Sequence, residues 1–165
     1  MEESETLRTL AEIGIALAGF TGIVAVLGRR ARGDWTPVEL AQMRLLLEAS
    51  LGVVFLSLLP VLLQMAVQSQ QTTWRLANVF LAVFQISILA LFFRRALLVT
   101  APSLPASSRR VAYPLAGAGI AVIAAQLLAG IGVVREASLT YLLGLIWFLV
   151  ISALTFVYLL LPRRG

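Results

Sequence analysis

The chain has 165 residues, 60% of them hydrophobic and 13% charged, with a formal charge of +5; a soluble globular domain is closer to half apolar and a quarter charged. So little polar surface argues against a water-soluble fold and for an all-α membrane bundle with no soluble domain. The absence of cysteine and histidine removes disulfides, thiol and imidazole chemistry and soft-metal ligation, and neither a cofactor nor a metal is expected.

The acidic start MEESE lacks the positive region of a cleavable signal, and Leu10 to Leu27 runs into charge without a small-residue cleavage site. The first apolar run is therefore expected to remain as a span. It carries two stripes. Gly14, Ala18 and Gly22, extended by Ala11 and Ala25, form a small-residue row that lets another helix approach closely. At about 100° per residue, Glu12, Ala16, Gly19, Ile23, Val26 and Arg30 form a neighbouring row. That row sets an acid at one end, small and apolar residues midway and a base at the other, the candidate pore or ion-binding face. A carboxylate in a span costs a few kcal/mol on insertion scales and usually faces protein or water. Two readings of Glu12 stand side by side. In one it binds or conducts; in the other it serves its own helix, through a capping box at Thr9-Leu10-Ala11-Glu12 or a pair with Arg8 one turn back.

In Thr36-Pro37-Val38-Glu39, threonine can cap, proline suits the first helical position and glutamate can reach back, which predicts the start of helix two. Extended to about Val67 this helix would measure roughly 45 Å and project to the headgroups beside Trp35. Pro60 predicts a kink that frees the Leu56 carbonyl. Arg44 and Glu48, one turn apart, are expected to pair near the cytoplasmic interface or to meet a neighbour's arginines, Arg94 or Arg95. Apolar runs near 10–28, 44–66, 74–93, 111–134 and 139–161 predict five transmembrane helices, with four spans plus a surface-lying first helix as the rival.

Asn78, Gln85 and Gln126 are expected to hydrogen-bond between helices, and Gln85 and Gln126 lie deep enough to meet each other. Trp74, Tyr141 and Tyr158 fall near span ends as interfacial anchors. Gly117, Gly119, Gly130 and Gly132 predict tight packing of helix four, against helix five through Gly144. The segment TAPSLPASSRR, residues 100–110, reads as a linker within one membrane domain. It separates a three-helix part, 1–99, from a C-terminal hairpin, 111–165.

All basic residues are arginine. If the helices alternate, Arg29, Arg30, Arg32, Arg44, Arg94, Arg95, Arg109, Arg110, Arg163 and Arg164 share one side, while Arg8, Arg75 and Arg135 take the other. Arginine-rich loops stay cytoplasmic, which predicts an inner-membrane protein with its N-terminus outside and C-terminus inside. Clustered between apolar runs, these arginines are topogenic, and no nucleic-acid partner is expected. The expected partners are the lipid bilayer, further copies of the chain and a partner membrane protein. There is no His-Glu-x-x-His motif, no histidine for a serine dyad and a single aspartate, Asp34. Metalloprotease, rhomboid-like and paired-aspartate mechanisms are thereby excluded, and no enzyme is expected.

The residues LAEIG, Leu10 to Gly14, resemble the first helix of small multidrug-resistance efflux proteins, where a glutamate in a comparable setting binds proton and cationic substrate. That resemblance implies a proton-coupled carrier using Glu12. The run AEIGIALAGFTGIVAVLGRR resembles small multipass proteins of bacterial inner membranes, which implies a location and no activity. Its order of glutamate, small and apolar residues, then bases is similar to the pore helix of Orai-type calcium channels, with the chain direction reversed. The reading that joins these features is a homo-oligomeric membrane protein with a cation path lined by the first helix. The alternative is a non-conducting assembly or regulatory protein that docks a partner through its glycine-rich faces.

Overall fold

A computed structural model of the protein describes residues 2–32, 37–99 and 106–160, and every element among them is helical. The five helices are α1 (Glu2–Arg32), α2 (Pro37–Val67), α3 (Gln70–Val99), α4 (Ala106–Gly130) and α5 (Ala137–Leu160). Among the described residues, four have a stretch long and apolar enough to cross a membrane: α1, α2, α3 and α5. The helix outside that set is α4, 25 residues long, and not the first helix. Among its described residues the apolar stretch is Pro114–Gly130, about 26 Å at 1.5 Å per residue. The Ser-Ser-Arg-Arg sequence occupies the opening turns of α4. Residues 100–105 of the expected linker lie outside the described residues, and 106–110 open α4.

Local chemistry accounts for the helix ends. Pro37 opens α2 with Glu39 in its first turn, where an acid favours the positive end of the helix dipole; Thr36, the expected cap, lies outside the described residues. Pro60 sits buried within the same helix. At its far end Gln68 takes a positive φ of 54° and its N–H donates to the Gln64 carbonyl at 3.3 Å, an αL termination. Ser69 then caps α3: its hydroxyl oxygen accepts from the Thr72 N–H at 3.5 Å and from the Thr72 hydroxyl at 3.1 Å. Helix α3 thus starts at Gln70, four residues before the apolar run suggests, because a cap and not hydropathy sets its first turn.

Between α4 and α5 the N–H of Val133 donates to Leu128 at 3.0 Å and that of Gly132 to Ala129 at 3.1 Å. With Gly132 at φ +85°, this is a Schellman end, so Gly132 lies just past the helix it was expected to belong to. A side chain there would also meet the Arg75 guanidinium. Helix α1 has no break at Thr9. The Thr9 hydroxyl donates to the Glu5 carbonyl at 3.0 Å inside a continuous helix, which removes the capping-box reading of Glu12.

The chain divides into two compact units, Met1–Leu58 with Phe148–Gly165, and Leu59–Trp147. In the first, Leu7, Leu10, Gly14 and Thr21 form the buried face of α1, and Leu46, Ala49 and Val53 are fully buried on α2. A Cβ at Gly14 would stand 2.9 Å from the Ser50 carbonyl oxygen and 3.1 Å from Val54 Cγ2. Glycine is what allows this approach. In the second unit, α3 supplies Ala77, Asn78, Leu81, Ala82 and Gln85, α4 supplies Gln126 and Ala129, and α5 supplies Tyr141 and Leu145.

Candidate functional site

The pore-face row of α1 is uncovered. Glu12, Ala16, Gly19, Ile23 and Val26 are all exposed, and nothing lies within 4 Å of a Cβ built at Gly19. The side chain of Arg30 lies outside the described residues. Only 17% of the most apolar window of α1 is buried, against 39% for α2. The Arg8 Nε donates to Glu12 Oε1 at 2.9 Å, with side chains 81% and 60% exposed. This i,i+4 pair is the local partner the sequence offers Glu12.

The small-residue row splits in two. Gly14 packs on α2 and Ala18 is half-buried, whereas Gly22 is exposed with nothing within 4 Å of its Cβ position. The seven-residue series 7, 14, 21 is buried, and Gly22 has rotated about 80° away from Gly14, since eight residues of a 3.6-residue helix overshoot two turns. On α2, Arg44 is exposed and Glu48 half-buried.

A second polar constellation lies inside the unit formed by Leu59–Trp147. The Asn78 amide donates to the Trp74 carbonyl and to the Ala137 carbonyl, both at 2.8 Å. Seven residues further along α3, Gln85 Nε2 donates to the Gly144 carbonyl at 3.4 Å. Both interhelical bonds join residues 59 apart, so α3 and α5 run parallel here, in a register that repeats every seven residues. A heptad interval keeps the same faces opposed along two gently supercoiled helices.

Gln126 of α4 reaches Gly144 from the other side: a Cβ there would overlap its amide nitrogen and stand 2.8 Å from Leu81 Cδ2. Helices four and five therefore meet through Gly144, as the glycines suggest. The two glutamines do not bond each other. Gln126 Oε1 and Nε2 and Gln85 Oε1 are buried with no hydrogen-bond partner among the described residues. Gly119 adds a further contact, with its Cβ position 3.3 Å from Trp147 Nε1.

Trp74 and Tyr141 are buried, with ring centroids 5.8 Å apart and planes tilted by 57°. They pack on each other beside Asn78 instead of facing an interface; proximity to a span end is a weaker signal than the buried face of α3, which includes Trp74, Ala77, Asn78 and Leu81. Thr21 was not singled out by sequence. It is fully buried and its hydroxyl donates to the Leu17 carbonyl at 2.7 Å, a pairing that leaves no polar mark on the hydropathy pattern.

No family model, curated protein or solved structure matches the chain. The functional reading therefore rests on these two constellations: an exposed acid on an uncovered helix, and buried amides around one glycine.

Proposed function

We propose that the protein is a multipass protein of the cell inner membrane that works as a homo-oligomer, with the α1 helices lining a cation path. In this reading α1, α2, α3 and α5 span the bilayer and α4 completes an odd number of crossings, so the N-terminus is outside and the C-terminus cytoplasmic. The observation that carries the proposal is the uncovered row Glu12, Gly19, Ile23 and Val26, opposite the face that packs on α2. A carboxylate on a lipid-facing helix calls for protein or water around it, and convergence of several copies supplies both.

A ring of Glu12 carboxylates would raise the local cation concentration, Ile23 and Val26 would form a constriction that gates by dewetting, and Arg30 would limit throughput at the inner end. The Arg8 partner is no obstacle to this. An exposed pair is worth about 0–1 kcal/mol, little enough for Glu12 to exchange it for a cation. In proteoliposomes the parent should pass cations, Glu12→Gln should lose most of the flux with its oligomer intact, and Glu12→Asp should keep part of it. Arg30→Gln should raise the flux or alter its selectivity. No flux under voltage, pH or osmotic challenge, or unchanged flux in Glu12→Gln, would refute the conduit.

The Arg8–Glu12 pair itself favours a second reading, because it leaves no net charge at the end of the row. In that reading α1 docks another membrane protein through Gly19 and Gly22, and the protein conducts nothing. A stable complex with a different membrane protein, together with absent flux, would establish it.

A further inference from the structure

We propose that the arginine pairs near the end of α3 and the start of α4 form a binding site for an acidic phospholipid, Arg94 and Arg95 acting from one helix and Arg109 and Arg110 from the other. Charge is the first support. From Ala49 to Arg135 the chain has six arginines and no aspartate or glutamate. The unit Leu59–Trp147 contains one acid, Glu136.

Helix packing brings the two pairs to one level. A Cβ built at Gly130 stands 2.5 Å from Val79 Cγ2 and 3.6 Å from the Arg75 carbonyl oxygen, and Gln126 and Leu81 meet at Gly144. Helices α3 and α4 therefore run antiparallel, with Gly130 level with Ala77 and Gln126 level with Leu81. The same register sets Arg94 level with Tyr113 and Arg110 level with Leu97, so the pairs lie within about one turn, roughly 5 Å, along the axes. Packed helices are about 8–10 Å apart. Glu136 follows Gly130 by six residues, at the opposite end, so the unit holds no carboxylate to neutralise these four arginines.

Depth selects the partner. Arg94 lies 19 residues beyond Arg75 and Arg110 lies 20 residues before Gly130, about 28 and 30 Å of helix at 1.5 Å per residue. One hydrocarbon thickness, roughly 30 Å, thus separates the Arg75 end from the arginine pairs. That is the depth of lipid phosphates, whose oxygens a planar guanidinium binds two at a time, and Arg94 is exposed. A zwitterionic headgroup carries its own cation beside the phosphate, whereas an acidic one brings the net negative charge that the unit lacks. The inference rests on α3 and α4 both crossing the bilayer, and it is independent of the cation path and of the orientation of the chain.

The test places the full chain in nanodiscs with equal parts of phosphatidylglycerol and phosphatidylcholine, and native mass spectrometry reads the lipid that stays bound. The parent should retain phosphatidylglycerol, and equal retention of the two lipids overturns the site. Arg109→Gln/Arg110→Gln or Arg94→Gln/Arg95→Gln should weaken that binding roughly thirtyfold, the scale of two cationic side chains at a lipid surface. Arg163→Gln/Arg164→Gln removes the same charge at the C-terminal end and should stay within about threefold of the parent. Equal losses in all three variants mean a diffuse field and overturn the site. Should a glutamine variant fail to insert, Arg109→Lys/Arg110→Lys keeps the topogenic charge but loses the planar fork. It should bind about three- to tenfold more weakly than the parent, and unchanged binding overturns the proposal. Extraction of the parent from membranes by alkaline carbonate would overturn the membrane reading itself; a chain that stays in the bilayer without lipid preference overturns this inference alone.

Discussion

Replacing Gly144 by alanine is the sharpest probe of how α3, α4 and α5 fit together. The added Cβ would overlap the Gln126 amide and stand 2.8 Å from Leu81 Cδ2, where carbon atoms ordinarily rest about 3.5–4.0 Å apart. Neither neighbour has open space to retreat into, since Leu81 and Gln126 are both fully buried. Overpacking of this kind costs about 1–3 kcal/mol. Disturbing the Gln85 bond to the Gly144 carbonyl adds about 0.5–1.5 kcal/mol. Against this, alanine gains about 1 kcal/mol of helix propensity over glycine. The net is a loss of about 0.5–3.5 kcal/mol, a shift of roughly twofold to three-hundredfold in the unfolding equilibrium. It is measurable by titrating the protein in mixed micelles with a denaturing detergent. Gly117→Ala is the control, because nothing lies within 4 Å of its Cβ position and only the propensity gain of up to about 1 kcal/mol applies. Adding Gln126→Ala to Gly144→Ala should recover the part of the overpacking due to Gln126 and leave that due to Leu81. If Gly144→Ala is as stable as the parent or the Gly117→Ala control, the close fit at Gly144 is wrong.

Asn78→Leu should destabilise the fold by about 1–3 kcal/mol, since it deprives the Ala137 carbonyl of its donor from α3; the same detergent titration checks it, and an unchanged midpoint counts against the parallel register. Gly14→Leu should unfold the contact with α2, where a Cβ already stands 2.9 Å from the Ser50 carbonyl, whereas Gly22→Leu should leave the folded chain intact and weaken self-association. Thermal unfolding and sedimentation separate the two, and equal effects on folding would contradict the split of that row. Gly132→Ala should cost about 1 kcal/mol or more, because its φ of +85° suits glycine alone; a rise in stability would argue against the Schellman end. Since the chain has no cysteine, single cysteines in the QSQQTT segment should react with an impermeant thiol reagent from outside and those in PSLPASS should not, and the reverse pattern inverts the orientation.

The helices themselves were legible from one sequence. Pro37 and Glu39 place the start of α2, because propensity, capping and apolar runs act over a few neighbouring residues; Gly132, read as a packing residue of helix four, carried the signal of that helix's end. Ser69 carried the same kind of signal for α3, and hydropathy alone passed over it by four residues. A row of small or polar residues on a helix can likewise be listed from sequence by its angle about the axis.

What covers that row is a different matter. Gly14 and Gly22 read alike along the chain, yet one lies against the Ser50 carbonyl and the other faces open space, because the distinction belongs to α2 and not to α1. Gln85 and Gln126 both read as buried amides, but their convergence on Gly144, and the inward turn of Trp74 onto Tyr141, depend on α3 pairing with residues 59 positions away. Sequence by itself determined where the chain is helical, where it is apolar and which side chains are polar, since these follow from local chemistry. Only the tertiary structure decided which faces meet, because a helix buries whichever face its distant partners can pack against, and a one-residue rotation of about 100° moves a different set of side chains into that contact.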